Sequence, residues 1–292
     1  MSAQINPSDL RPGDVLLHVG TGEISKLVQW VSDSDYSHAA LIYDVGLLAE
    51  AVEGGVIIDE PLAPHLADTG QFARIDAYRL RSSPGGVTPP ALTALQTSAR
   101  KMDGVPFALN QLMEIGIIAA VRNKLPTTAA GQMFMTWLLN DLMPRNTDRL
   151  VCSEFVYLSF HLSGVAELDP QIVLASRAIQ RKPFPDIDWG ALWQEYQDAK
   201  SAEQPDPPPT LVAALSGAPA LGNPDAASLA ALNVAVYQAK RRLVQDRPEL
   251  FAAPAPEGLR VVVHPNPVLV LPQDLADSPS FGVLGPIARA VG

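Results

Sequence analysis

The chain has 292 residues, of which 47% are hydrophobic and only 18% are charged, so it can bury a sizeable core and is not a disordered tail. A formal net charge of -10 argues against nucleic acid or an anionic membrane surface as a partner, since binding to either requires a basic face. A single cysteine, Cys152, excludes an intramolecular disulfide framework.

The first residues show no basic segment followed by an apolar core, so the sequence predicts no secretory signal peptide. The weakly charged run 107–121 is too short to cross a bilayer and is interrupted by polar residues. We therefore expect no transmembrane helix and a protein that is cytoplasmic as synthesised. Export by a route that needs no signal peptide stays open.

The first predicted elements are a strand, a helix and a second strand. The apolar run 15–19 follows a Pro-Gly turn and predicts a strand that carries His18. Apolar residues at helical spacing predict a helix over 21–31, and a strongly β-prone run begins at His38. A histidine inside a strand is more often a satisfied core residue than a catalyst, so we assign His18 no role.

His38 and Glu50 are candidate partners on neighbouring strands. A histidine at the first residue of a strand is held firmly near the surface, which suits a general base. If the strand at 48–52 pairs with the His38 strand as an antiparallel hairpin, Glu50 lies beside His38 and can accept its N–H and stabilise the imidazolium. The alternative is that Glu50 is a solvated edge residue. Glu53 is a rival carboxylate, but its side-chain parity on a regular strand is opposite to that of Glu50.

The middle of the chain is more helical. A third strand is predicted at 54–58, a further strand at 73–80 and an amphipathic helix at 91–102. Two apolar helices are predicted at 107–122 and 129–142. Two interpretations stay open for this segment: ordinary core, or a lid or groove for an acyl chain, since methionine-rich surfaces adapt to flexible apolar ligands.

The cysteine lies at the start of a predicted helix. Four apolar residues recur at helical spacing in this segment: Val151, Phe155, Leu158 and Leu162. We predict a helix from 150 to 163, with Gly164 as the C-cap and capping side chains among Asn146, Thr147 and Asp148. Unpaired N–H groups and the helix dipole favour a thiolate there and supply donors for an oxyanion. A buried structural cysteine is the alternative.

Other histidines and carboxylates carry no comparable signal. His161 lies nine residues beyond Cys152, about half a turn away around the helix. His65, in a Pro-flanked loop, and His264 have no partner signal. Asp186 and Asp188 lack further ligands at a cation-loop spacing, so we assign no metal and no cofactor.

The composition changes near residue 205. The segment 205–209 is rich in proline, and 14 of the 27 prolines lie from 205 onward. We therefore divide the chain into a catalytic domain at 1–204 and a Pro/Ala-rich extension at 205–292. The extension either packs against the first half or recruits a protein partner. Within it we predict a helix inside 224–250 and strands at 259–263 and 268–271.

The order of these motifs resembles the circularly permuted branch of the NlpC/P60 papain-like superfamily, which includes the YiiX/YebB-like hydrolases and the lecithin:retinol acyltransferase-like proteins. The resemblance covers about residues 10 to 165 and rests on four motifs in order: Arg11-Pro12-Gly13-Asp14-Val15, Tyr36-Ser37-His38, Glu50, and Cys152-Ser153-Glu154-Phe155-Val156. It implies an α+β, permuted papain-like fold in which a small antiparallel sheet packs against the cysteine helix. It also implies that Cys152 is the nucleophile, His38 the base and Glu50 the residue that orients the base.

Three functions follow from these expectations. The favoured one is a cysteine hydrolase that cleaves an amide or ester bond, for example in a cell-wall peptide, through an acyl-Cys152 intermediate. The second is a lipid acyltransferase or phospholipase that uses the same site. The third is a non-catalytic binding module. The expected partner is a small-molecule, peptide or lipid substrate.

Overall fold

The computed structural model describes residues 4–52, 54–105, 111–122, 124–142, 150–172, 182–200, 206–216, 226–246, 267 and 270–288, which form an α+β fold. The strands are β1 (Val15–Gly20), β2 (His38–Asp44), β3 (Leu47–Val52), β4 (Gly55–Pro61), β5 (Phe72–Leu80) and β6 (Phe281–Pro286). The helices are α1 (Glu23–Ser32), α2 (Leu62–Ala67), α3 (Pro89–Arg100), α4 (Gln111–Arg122), α5 (Ala129–Trp137), α6 (Cys152–His161), α7 (Trp189–Ala199), α8 (Pro209–Ser216), α9 (Ala226–Asp246) and α10 (Pro272–Asp277). A short 3-10 helix (Pro7–Asp9) precedes β1, and a π-helical turn (Leu138–Leu142) follows α5.

The strands form one antiparallel sheet in the order β4-β3-β2-β1-β5-β6. The predicted hairpin between the His38 strand and its successor is present, with Ala40 directly opposite Glu50. His18 on β1 lies opposite His38 on β2. Side chains directly opposite one another share a face of the sheet, so this register brings the two histidines together.

The two faces of the sheet pack against different helices. On one face, Ala39 and Leu41 share a core cluster with Phe155 and Phe160 of α6. On the other face, alternate residues of the same strands pack against α2 through Leu62 and Leu66. His38 has the same parity as the residues that face α2. His38 and Cys152 are each the first residue of their element, β2 and α6.

A second core lies among the helices. Buried apolar side chains of α1, α4, α5, α7, α8 and α9 form one cluster, whose largest members include Trp30, Phe134, Trp137, Trp193 and Tyr196. The described residues of the segment predicted as either core or groove contribute Leu112, Ile118, Phe134 and Leu139 to it, so they are core. Within the described part of the chain no helix is long and apolar enough to cross a membrane.

The described residues beyond 205 share the sheet and the helical core with the rest of the chain. β6 pairs with β5, while Leu211 of α8 and Leu232 of α9 are buried in the helical cluster. Of the two roles that the sequence left open for this segment, packing against the first half is the one observed. The strand predicted at 259–263 lies outside the described residues. Val270 and Leu271 precede α10 and belong to no strand.

Candidate functional site

Cys152 is the first residue of α6, as the sequence predicted. Val151 precedes it in an extended conformation, and the Glu154 carboxylate accepts the Val151 N–H at 3.3 Å. The helix ladder begins with the Phe155 N–H, which donates to the Val151 carbonyl at 2.9 Å. The predicted capping residues 146–148 lie outside the described residues. The thiol group is fully buried.

His38 and Glu50 form a short, buried pair. His38 Nε2 donates to Glu50 Oε2 at 2.6 Å, and both residues are about 95% buried or more. Glu50 is therefore not a solvated edge residue. Glu53, the rival carboxylate, lies outside the described residues. Because Nε2 is taken by Glu50, Nδ1 is the ring nitrogen left to interact with Cys152, which raises the pKa of His38.

The electrostatics of the pair favour a protonated His38. Burial lowers the pKa of His38, but interactions with Cys152 and with Glu50 outweigh burial and raise the pKa to about 10. Burial also raises the pKa of Glu50, but hydrogen bonds from His38 and His65 together with their charges hold it well below its usual value. At neutral pH the arrangement therefore places an imidazolium between a carboxylate and the sulfur.

Two further histidines belong to this site, and the sequence analysis gave neither of them a role. His65 lies on α2, not in a loop, and its Nδ1 is 3.4 Å from Glu50 Oε1. Its Nε2 is 2.9 Å from His18 Nε2. Burial, followed by the positive charges of His38 and His65, holds the pKa of His18 well below its usual value, so His18 is neutral. The interpretation of His65 as a loop residue without a partner was therefore wrong.

Phe72 on β5 covers the histidine rings. Its ring is 4.5 Å from that of His18, 5.4 Å from that of His65 and 6.1 Å from that of His38, with which it is nearly parallel at 16°. An aromatic wall excludes water from the polar cluster and lowers the local dielectric constant. The charge interactions of Glu50 with the histidines are therefore stronger than they would be in water.

Glu60 on β4 completes the cluster. Burial raises the pKa of Glu60, and the neighbouring Glu50 carboxylate raises it further. Ligand atoms of Glu50, Glu60 and His65 all lie within 4.8 Å of one another, so these three residues could hold a metal ion. The sequence analysis assigned no metal because it considered only Asp186 and Asp188.

The residues that the sequence analysis set aside have other contacts where the structure describes them. His161 Nδ1 bonds Asp169 Oδ1 at 2.9 Å. Asp188 caps α7 by accepting the Ala191 N–H at 3.1 Å, and Asp186 is exposed. His264 lies outside the described residues.

No family model matches the chain, and no curated protein matches it either. Among solved structures, the chain is similar to the crystal structure of metalloprotein yiiX from Escherichia coli O157:H7. The identity is 15%, the match covers 96% of this chain and 97% of that one, and the TM-score is 0.37. This is a distant structural neighbour, and at that score the similarity supports no assignment of activity.

Proposed function

We propose that this protein is a cysteine hydrolase in which Cys152 is the nucleophile, His38 moves the proton and Glu50 orients His38. Two observations support the proposal above all: His38 Nε2 is 2.6 Å from Glu50 Oε2, and Cys152 is close enough to raise the pKa of His38. An inert core cysteine needs no such partner. A base that is itself held by a third group is the arrangement that activates a nucleophile.

The proposed reaction has two steps. In the first, the Cys152 thiolate attacks the carbonyl carbon and forms a C–S bond, and the His38 imidazolium gives its proton to the departing amine or alcohol as the C–N or C–O bond breaks. In the second, His38 takes a proton from water, the hydroxide attacks the thioester, and the C–S bond breaks to release the acid. The sulfur leaves as a thiolate and the imidazolium is restored.

The helix start supplies the electrostatic part of this proposal. α6 begins at Cys152 itself, so the N–H groups of its first turn, which have no carbonyl partner within the helix, lie at this residue. Such donors stabilise the oxyanion that forms when the carbonyl is attacked, at a typical contribution of about 3 to 4 kcal/mol per donor. Phe155, Val156 and Phe160 anchor the same helix in the sheet core, which keeps the donors in place.

The permuted NlpC/P60 assignment is part of the proposal. The His38 and Glu50 strands precede the Cys152 helix in the chain, which is the order that the resemblance implies. The antiparallel sheet packs one face on α6, as expected of that fold.

Amide or ester hydrolysis is the version of the proposal that we favour. Lipid acyl transfer is suggested by the apolar segment 107–143 and by the acyltransferase-like proteins of the resemblance. The buried apolar residues described in that segment belong to the helical core, which weakens the first of these arguments. The substrate class then follows from the bond that a thiolate attacks, a carboxamide or a carboxylic ester.

Intact-mass analysis after incubation with cell-wall peptides, short amide and ester substrates, and acyl lipids tests the proposal. An acyl adduct on the wild type that is absent from Cys152→Ala is expected, and it should form more slowly in His38→Ala, which lacks the group that protonates the leaving amine or alcohol. An adduct from acyl lipids alone would favour the acyltransferase alternative. A protein that binds a substrate without any adduct or turnover would be a binding module, and the proposal would then be wrong.

A further inference from the structure

Three side chains that can bind a metal ion lie close together near His38. Glu50 comes from β3, Glu60 from β4 and His65 from α2, and one ligand atom of each lies within 4.8 Å of the other two. The side chains of Glu50 and His65 are only 3% and 6% exposed. The carboxylates of the buried Glu50 and the partly buried Glu60 lie close together, and they repel each other unless a positive charge lies between them.

The backbone is shaped to bring Glu60 to this point. In the pairing of β3 with β4, Leu48 lies opposite Glu60 but Glu50 lies opposite Ile57, so β4 contains one extra residue. Asp59, next to Glu60, has a φ of 67°, in the left-handed region that is costly for a side chain other than glycine. This bulge puts Glu60 and Glu50 side by side on the face that carries the histidines.

We propose that Glu50, Glu60 and His65 bind a divalent transition-metal ion of the Zn²⁺ type. Zinc accepts imidazole nitrogen and carboxylate oxygen at about 2.0 to 2.2 Å in a tetrahedral arrangement. The edge of such a tetrahedron is about 3.4 Å, and His65 Nδ1 lies 3.4 Å from Glu50 Oε1. The mixed nitrogen and oxygen donors favour Zn²⁺ over Mg²⁺ or Ca²⁺, which prefer oxygen alone. The fourth position is left for water.

Neighbouring side chains hold these three ligands in place, as the hydrogen-bond partners of metal ligands do in metal sites. A histidine that binds a metal through one ring nitrogen usually donates its other N–H to a fixed acceptor. His65 Nε2 has such an acceptor in His18 Nε2, at 2.9 Å. Glu50 offers Oε1 to the ion while its Oε2 accepts from His38 at 2.6 Å. Phe72 packs against the rings of His18 and His65.

The ion would tie β3, β4 and α2 together and hold the Glu50 carboxylate against His38. Glu60 Oε2 is buried without a hydrogen-bond partner among the described residues, and a metal bond would satisfy it. The inference concerns a binding site, and it stands whether or not Cys152 is a nucleophile. Its competitor is a proton shared between Glu50 and Glu60, which would fill the same position without metal.

Calorimetric titration of the chelator-stripped full chain with ZnCl₂ tests the proposal. We expect one ion per chain for the wild type, for Cys152→Ala and for the exposed control Glu167→Gln. The affinity should fall at least about tenfold in Glu60→Gln and in His65→Gln, because each removes a ligand. Circular dichroism of each stripped variant checks its folding, and either variant suffices if the other fails to fold.

A Co²⁺ spectrum of the wild type provides a test that needs no variant. Ligands from two carboxylates and one imidazole should give visible d–d bands without a thiolate-to-cobalt charge-transfer band. That band, or loss of binding in Cys152→Ala, would place the metal on the sulfur and overturn the proposal. Absence of saturable binding to the wild type would favour the shared proton and overturn it too, as would an unchanged affinity in both ligand variants. Hydrolysis is not measured, so a failure of the proposed function leaves these outcomes unaffected.

Discussion

The His38 proton should make the stability of the protein depend on pH in a defined window. The pKa of His38 is about 10 in the folded chain and about 6.5 when unfolded. A raised pKa contributes stability that is fully present below pH 6.5 and is lost as the pH rises through about 10. Between pH 7 and pH 10 this loss amounts to about 3 to 4 kcal/mol, since each pH unit of difference corresponds to about 1.4 kcal/mol.

Urea unfolding at pH 7, 8.5 and 10 measures this loss, with EDTA present to keep Glu50 free of metal. The wild type should lose about 3 to 4 kcal/mol more unfolding free energy over this range than His38→Gln, which has no proton to release. Cys152→Ala should fall between them, because it removes the sulfur that helps to raise the pKa of His38. The matched control is His161→Gln, at a histidine paired with Asp169 away from the site. If wild type and His38→Gln lose stability in parallel, His38 does not hold the proton that we assign to it.

Three further predictions concern reactivity and folding. Alkylation of Cys152 by iodoacetamide at pH 7 should slow at least about tenfold in His38→Ala, measured by intact mass; an unchanged rate would remove His38 as the partner of the sulfur. Turnover in Glu50→Gln should fall by about a hundredfold with little change in melting temperature. Parallel kinetics of Glu53→Gln test the choice of carboxylate. Loss of turnover only in Glu53→Gln would mean that Glu50 has been misassigned. Residues 1–204 expressed alone should aggregate or unfold without cooperativity by size-exclusion chromatography and circular dichroism, because β5 loses its partner strand; a stable monomer would contradict this.

The parts of the site that lie at element starts were predictable from the sequence. His38 begins a β-prone run after a polar turn, and Cys152 begins an apolar helical pattern, so each local signal stands next to the residue that it places. Glu50 followed from the hairpin expected between its strand and the His38 strand, and the period of two along a strand separated it from Glu53. These inferences needed no knowledge of how distant parts of the chain meet.

The rest of the site depends on three-dimensional arrangement. His18 joins His38 through the β1–β2 register, and Glu60 joins Glu50 through a bulge whose left-handed residue, Asp59, is not glycine. No short-range pattern marks that bulge. His65 looked like a loop residue because prolines flank it, yet Pro64 lies within the first turn of α2, where proline is tolerated.

The last strand was missed for a related reason. β6 contains two glycines and ends in proline, a composition that disfavours a strand in the interior of a sheet. It occurs at the edge of the sheet, where fewer ladder hydrogen bonds are required. The strand predicted at 268–271 rested on a valine- and leucine-rich run, part of which precedes α10 instead.

The position of β6 also affects how the protein folds while it is being synthesised on the ribosome. Arg81, just after β5, donates to the carbonyl of Phe281, which is 200 residues later in the chain. At a synthesis rate of about 5 to 20 residues per second, the edge of β5 stays unpaired for about 10 to 40 s, until β6 has been synthesised. During that time the nascent sheet presents an unpaired strand that can join to another chain. We expect holding chaperones to bind this intermediate, and translation at low temperature to raise the yield of aggregates by lengthening the wait.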